Sequence, residues 1–180
     1  MKIIMSNTRM IVDGKILPWL NGQVLKKLLS LHKKSWRVFE YGSGHSTLWW
    51  QDEVKEIISV EHNKNFYRLI KKDIKDNCKY LRRDLIKKQD CAYVQSINEF
   101  EGNFDCIIVD GRNRSMCVEQ AIGRLNKNGL IILDNSERER YSDAIKKLND
   151  TYPIYLKAIG DKTNGVNPFC WCTTVWKNKK

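Results

Sequence analysis

Apolar positions along the chain follow two rhythms. Short continuous runs at residues 36–39, 57–60, 92–94, 104–109 and 130–133 are each bounded by polar or glycine-bearing turns. Such runs read as strands buried on both faces of a parallel sheet. Between them apolar residues recur at helical spacing. Leu20, Val24, Leu28 and Leu31 predict a helix over about 19–31, just after Pro18, and Phe66, Leu69, Ile70 and Ile74 predict one over about 65–76. Helices are also predicted over 47–53, 116–125 and 138–148. Two more strands, 154–159 and 169–176, close the pattern, joined by a polar loop holding Asn164-Gly165. The first fifteen residues alternate weakly around a turn signal at Asp13-Gly14 and read as an arm or short hairpin. Residues 78–90 are basic and indistinct, and read as a loop with some helix or strand character.

Strands alternating with helices, then a closing strand pair, predict an α/β fold: a doubly wound, mostly parallel seven-stranded sheet with an antiparallel edge strand. At 180 residues the chain suits one domain with a real core. Residues 1–35 would form an arm and a helix packing on that core, and residues 36–180 the ligand-binding domain.

The organising stretch is Val38-Phe39-Glu40-Tyr41-Gly42-Ser43-Gly44-His45-Ser46-Thr47. A buried strand runs into a turn with two glycines one residue apart, then into a helix that Ser46 or Thr47 can cap. A nicotinamide-binding turn needs a third glycine where this chain has Thr47. Glu40 closes the strand instead; a carboxylate there repels pyrophosphate and suits a cationic ligand with a free ammonium group. Glu61-His62 ends the second strand about twenty residues on, where a carboxylate can accept both hydroxyls of a ribose.

The pattern Glu-x-Gly-x-Gly after a hydrophobic strand resembles the first motif of class I S-adenosylmethionine (SAM)-dependent methyltransferases. The resemblance spans about residues 36–176 through the runs Phe-Glu-Tyr-Gly-Ser-Gly, Val-Glu-His, Val-Asp-Gly-Arg and Leu-Asp-Asn-Ser. It implies the Rossmann-like methyltransferase fold and SAM as cofactor. It also implies cofactor contacts from Glu40, Gly42, Ser43, Gly44, His45, Ser46, Thr47, Glu61, His62, Asp110 and, at the adenine edge, Ser96.

Asp110 ends the fourth strand, and Asp134-Asn135 the fifth. Three oxygen ligands on the carboxyl edge suit a hard cation such as Mg²⁺, which would acidify a hydroxyl. The placement is similar to metal-dependent O-methyltransferases of the catechol and sugar-modifying types, and makes Asp110 and Asp134 the catalytic candidates. The pattern departs from those families: Asn113 stands where the catechol type has a lysine, and Arg112 where sugar-type relatives have an acid. The general base is therefore unassigned, with His45 and His62 eligible on chemistry alone. The other reading of the three oxygen-bearing residues is structural: Asp110 turns the loop before Met116, and Asp134 and Asn135 cap the next helix. Arg112 and Arg114 either clamp an anion on the acceptor or are solvated, and Arg138 and Arg140 hint at an anionic partner.

Charge then narrows the partners. The net charge of +11 favours acidic ones, nucleic acid among them, or is simply solvated. The run Asp110-Gly111-Arg112-Asn113 lacks the Pro-Pro-aromatic signature of enzymes that methylate exocyclic amines of bases. The first expectation is O-methylation of a small-molecule or sugar acceptor. The alternatives are a nucleic-acid-binding protein or ribose-hydroxyl RNA methyltransferase, and a non-catalytic SAM-binding accessory protein. No apolar run is long enough to span a membrane, and the opening five residues are too short for a signal segment, so cytoplasmic residence is expected. Six cysteines with no Cys-x-x-Cys pair suit reduced thiols, with Cys91 and Cys106 in the core and Cys170 and Cys172 on one strand face. A homodimer is the expected assembly.

Overall fold

The computed structural model describes residues 3–6, 9–12, 15–86, 91–160 and 171–180, with side chains from residue 17 onward. Asp13-Gly14, the loop with Asn164-Gly165, Phe169 and Cys170 lie outside them.

The chain opens with three antiparallel strands, β1 (Ile3–Ser6), β2 (Arg9–Val12) and β3 (Lys15–Leu17). Helix α1 (Gly22–Leu31) follows, starting later than the periodicity predicts because Asn21 is its cap, accepting from the Gln23 amide at 3.0 Å. Then come β4 (Arg37–Tyr41), α2 (His45–Glu53), β5 (Glu56–Glu61), α3 (Lys64–Ile70) and β6 (Cys78–Arg82). Helix α4 (Ala92–Gln95), β7 (Phe104–Val109), α5 (Arg114–Ala121), β8 (Leu125–Asp134), α6 (Ser142–Thr151), β9 (Ile154–Ile159) and β10 (Cys172–Lys177) complete the chain.

The main sheet has seven strands in the order β6-β5-β4-β7-β8-β10-β9. Strands β4 to β8 are parallel to one another, and β10 runs antiparallel to both β8 and β9. The reversed strand thus sits one in from the margin. From β4 the chain winds outward through β5 to β6, then returns to β7 and winds the other way. The order reverses between β4 and β7, and a crevice opens at the carboxyl ends there.

One strand lies elsewhere than its pattern predicts. The third parallel strand is β6, within the stretch read as indistinct, and Ala92-Tyr93-Val94 is helical. β6 is a sheet edge, so Lys79 and Arg82 point to water and hide its apolar alternation. Tyr93 and Val94 are fully buried, and a short apolar run does not distinguish strand from buried helix.

Alternation along the strands divides the core in two. Val38, Ile57, Ile108 and Ile132 face α1 and the Trp49–Trp50 pair of α2; Phe39, Tyr41, Ile107 and Leu133 face Tyr93, Val118 and Leu148. The alternation puts Glu40 on the α2 side. Cys91 and Cys106 are buried core thiols, and the described cysteines are unpaired. Among the described residues no helix is long and apolar enough to cross a membrane.

Candidate active site

The carboxyl ends of β5, β4, β7 and β8 open onto a cleft of about 810 Å³. Sheet order arranges its lining. Glu61, His62, Asn63 and Phe66 come from the β5 end, and Gly42 and Ser43 from the β4 turn. Residues 110–116 follow β7, and Asn135, Arg138, Arg140 and Tyr141 follow β8.

The glycine turn is built by close packing. Gly42 has φ +92°, and a Cβ on it would lie 2.5 Å from the Gly111 backbone. A Cβ on Gly111 would in turn meet the Tyr93 hydroxyl at 1.9 Å. The β4 and β7 loops touch because both residues lack side chains. Gly44 is extended and caps α2, its amide donating to Thr47 Oγ1 at 3.0 Å. Thr47 is thus inside the helix rather than its cap.

Glu40 is not at the cleft surface. It is fully buried beneath the turn, where the hydroxyls of Ser46, Thr47 and Ser59 all donate to its carboxyl, Ser59 at 2.6 Å. Burial pushes its pKa from 4.5 up to about 7, against the pull of those hydroxyls. The carboxyl predicted to meet an ammonium group does not line the cleft. Gly44, His45, Ser46 and Thr47 also lie off the cleft lining, as does Ser96, whose hydroxyl donates to the Tyr93 carbonyl at 2.8 Å. Ser96 is misplaced because the predicted third strand is a helix.

Glu61 does face the cleft. Its Oε1 accepts from the amides of His62 at 2.9 Å and Asn63 at 2.6 Å. Its Oε2 accepts from the Ser43 hydroxyl at 3.1 Å and, more weakly, from the Ser43 amide at 3.3 Å. The Ser43 hydroxyl also has the Tyr80 hydroxyl at 2.7 Å. A ligand diol can displace Ser43 from Oε2 and leave it bonded to Tyr80. His62 Nδ1 lies 3.0 Å from Glu61 Oε1 but out of line for a hydrogen bond, and its ring stands edge-on to Tyr93.

Asp110, Asp134 and Asn135 come together, with a guanidinium among them. Arg114 Nη2 donates to Asp110 Oδ1 at 2.8 Å, and Nη1 bonds the Asp134 carbonyl and lies 3.9 Å from the Asp134 carboxylate. Asp134 Oδ1 accepts from Trp171 Nε1 at 2.7 Å and Thr173 Oγ1 at 2.6 Å. Burial and mutual repulsion push the Asp110 carboxyl well up, Arg114 opposing; burial likewise raises Asp134. Asn135 has φ 52°, a left-handed conformation that Asn tolerates better than most residues. These residues do not fit a divalent cation. One carboxylate is turned onto Trp171 and Thr173, and Arg114 already supplies the compensating charge. The described residues hold no cluster of three His, Cys, Asp or Glu side chains suited to a metal. Neither carboxylate caps a helix: the N-cap position of α5 is Asn113 and that of α6 is Tyr141, and neither helix has a side-chain cap.

Of the predicted residues, Gly42, Ser43, Glu61, His62, Asp110 and Asn135 share the cleft. Sequence reasoning missed Asn63, Phe66, Leu85 and Tyr141 as lining, and Trp171 and Thr173 as partners of Asp134. Asn63 carried a signal, as the cap of α3 directly after the Glu61-His62 strand end. Trp171 and Thr173 carried none, being brought in by a strand more than thirty residues away.

No family model matches the chain, and no curated protein matches it in sequence. Solved structures do match. A precorrin 8W decarboxylase from Methanobacterium thermoautotrophicum has a TM-score of 0.64 at 11% identity, covering 90% of this chain and 93% of that one. An rRNA methylase from Streptococcus thermophilus has a TM-score of 0.63 at 9% identity, covering 91% and 100%. The N-methyltransferase NodS from Bradyrhizobium japonicum, in complex with S-adenosyl-L-homocysteine, has a TM-score of 0.63 at 13% identity, covering 88% and 85%. The chain therefore has the Rossmann-like fold of the class I SAM-dependent methyltransferases.

Proposed function

We propose that the protein is a SAM-dependent methyltransferase acting on an oxygen of a small-molecule or sugar acceptor. The observation that carries this reading is Glu61, a buried-stem carboxylate at the strand end, held by backbone amides and facing the cleft. Two further facts support it. Among the described residues the β5–β4 half of the cleft has no lysine or arginine in its lining to repel a sulfonium, and the fold is shared with a solved methyltransferase carrying S-adenosyl-L-homocysteine.

Bound SAM supplies an already activated methyl group on sulfur. The chain's own residues have three tasks: to hold, to align and to take a proton. Glu61 accepts the ribose diol, and Gly42 and Ser43 present backbone beside it. Phe66, Leu85 and Met116 supply apolar wall that excludes water. Asp110 is the group placed to take the acceptor's hydroxyl proton. Its side chain reaches the cleft lining, and its raised pKa makes it, when ionised, a stronger base than an ordinary aspartate. Arg114 orients it from behind, and Asp134 sits deeper as a positioning residue held by Trp171 and Thr173. Oxygen rather than a base amine is favoured as acceptor because Asp110-Gly111-Arg112-Asn113 supplies a carboxylate and no stacking platform.

Calorimetry with SAM and S-adenosyl-L-homocysteine tests the reading. Glu61→Ala is expected to cost about 1.5–3 kcal/mol of cofactor binding, the scale of charge-assisted hydrogen bonds. Unchanged affinity removes the ribose assignment, and no binding by the wild type removes the enzyme.

A further inference from the structure

The cleft is electrically divided. Its β5 end carries Glu61, while its β7–β8 end carries Arg112, Arg138 and Arg140, all exposed. Arg114 lines the same region but is committed to Asp110 and Asp134. No carboxylate among the described residues pairs with Arg112 or Arg140. Arg138 has Glu137 only at 3.7 Å, and Glu137 is drawn off by the Cys172 amide at 2.8 Å. Arg140 lies over the Tyr141 ring, 5.1 Å from its centroid, which fixes the guanidinium beside the cleft.

A second feature converges on the same place. Helix α5 begins in this lining with no acidic residue in its first turn and no side-chain cap. The one side chain placed to cap it, Asn113, donates instead to the Ile86 carbonyl at 2.9 Å. The first-turn residues Ser115 and Met116 line the cleft, and the Ser115 hydroxyl reaches the Arg140 carbonyl at 3.3 Å, tying the β8 loop to the helix start. Three guanidiniums and an uncapped helix N-terminus on one wall form a site for a multiply charged tetrahedral anion.

We infer that the acceptor is a small hydroxyl compound carrying a phosphoryl or sulfo group, seated by Arg112, Arg138, Arg140 and the start of α5. The word acceptor rests on the methyltransferase reading; the anion seat does not. The charge division sets the order of the two ligands along the cleft, the cation against Glu61 and the anion against the arginines, with Asp110 between them.

The test titrates glucose, glucose 6-phosphate and glucose 6-sulfate into the protein, free and saturated with S-adenosyl-L-homocysteine, by calorimetry and amide NMR shifts. A charged sugar should bind at least tenfold more tightly than glucose, and the phosphate and sulfate arms show which group the seat prefers. Arg112→Gln combined with Arg140→Gln should weaken that binding at least tenfold and leave S-adenosyl-L-homocysteine affinity within twofold. Arg82→Gln, on β6 and paired with Asp84, should change neither. Equal affinity for all three sugars, or charged-sugar affinity unmoved by the double variant, overturns the proposal. Failure to bind S-adenosyl-L-homocysteine sinks the cofactor reading, while the free-protein titration still decides the anion seat. A single-stranded RNA oligomer binding a hundredfold more tightly than either charged sugar, and lost in the same double variant, replaces the small acceptor with a polymer.

Discussion

Glu40 is a fully buried carboxyl with three hydroxyl donors and, among the described residues, no ion-pair partner. Its pKa in the folded protein, about 7, lies above its ordinary 4.5. Folding therefore favours its protonated form. The resulting stability is fully present below pH 4.5 and is lost as pH rises through 7. The span corresponds to something on the order of 3 kcal/mol. Glu40→Gln removes the titration and keeps an acceptor for the hydroxyls. The stability difference between wild type and this variant, read from urea unfolding, should shift in favour of the wild type as pH falls from 8 to 5. A difference constant across that range contradicts the buried, raised carboxyl. The residue is best understood as the internal anchor of the glycine turn, tying β4, β5 and α2 together through side chains.

Asn135 tests the loops that follow the strands. Its left-handed backbone explains an asparagine there without any ligand. Asn135→Gly should retain stability, whereas Asn135→Ala should lose about 1 kcal/mol in denaturant unfolding, the cost of forcing an ordinary side chain into that region. Loss in both variants alike would return the side chain to a direct role. The strands at the centre of the sheet were legible in sequence because burial on both faces leaves an unbroken apolar run. β6 was not, since Lys79 and Arg82 interrupt its apolar residues at a sheet edge where both faces are partly open, and α4 was not, since a four-residue helix with only Tyr93 and Val94 buried is too short to show a repeating pattern. In the site, Glu61 and Asp110 were legible because strand ends mark the crevice. The burial of Glu40 was not legible, because sequence places an acid near the turn without saying whether it points up to the cleft or down under it. The role of Arg114 depends on a meeting of two loops, which no local pattern records.

On the methyltransferase reading, the assembled molecule's cofactor is measurable without an acceptor. S-adenosyl-L-homocysteine at a hundred times its Kd should add about 2.7 kcal/mol of stability, raising the Tm by roughly 5–10 °C for a chain of this size. Mg²⁺ or EDTA should leave the Tm within about 1 °C, because Arg114, Trp171 and Thr173 already engage the carboxylates a metal would need; a metal-dependent rise of several degrees would contradict that arrangement. The sheet order has one further consequence. β10 is wedged between β8 and β9, and Trp171 and Thr173 at its start hold Asp134. As the polypeptide leaves the ribosome, β8 keeps an open flank until residues 172–177 have emerged. The β8 wall of the cleft thus matures last, and a nascent chain carries the glycine turn well before it carries a finished cleft.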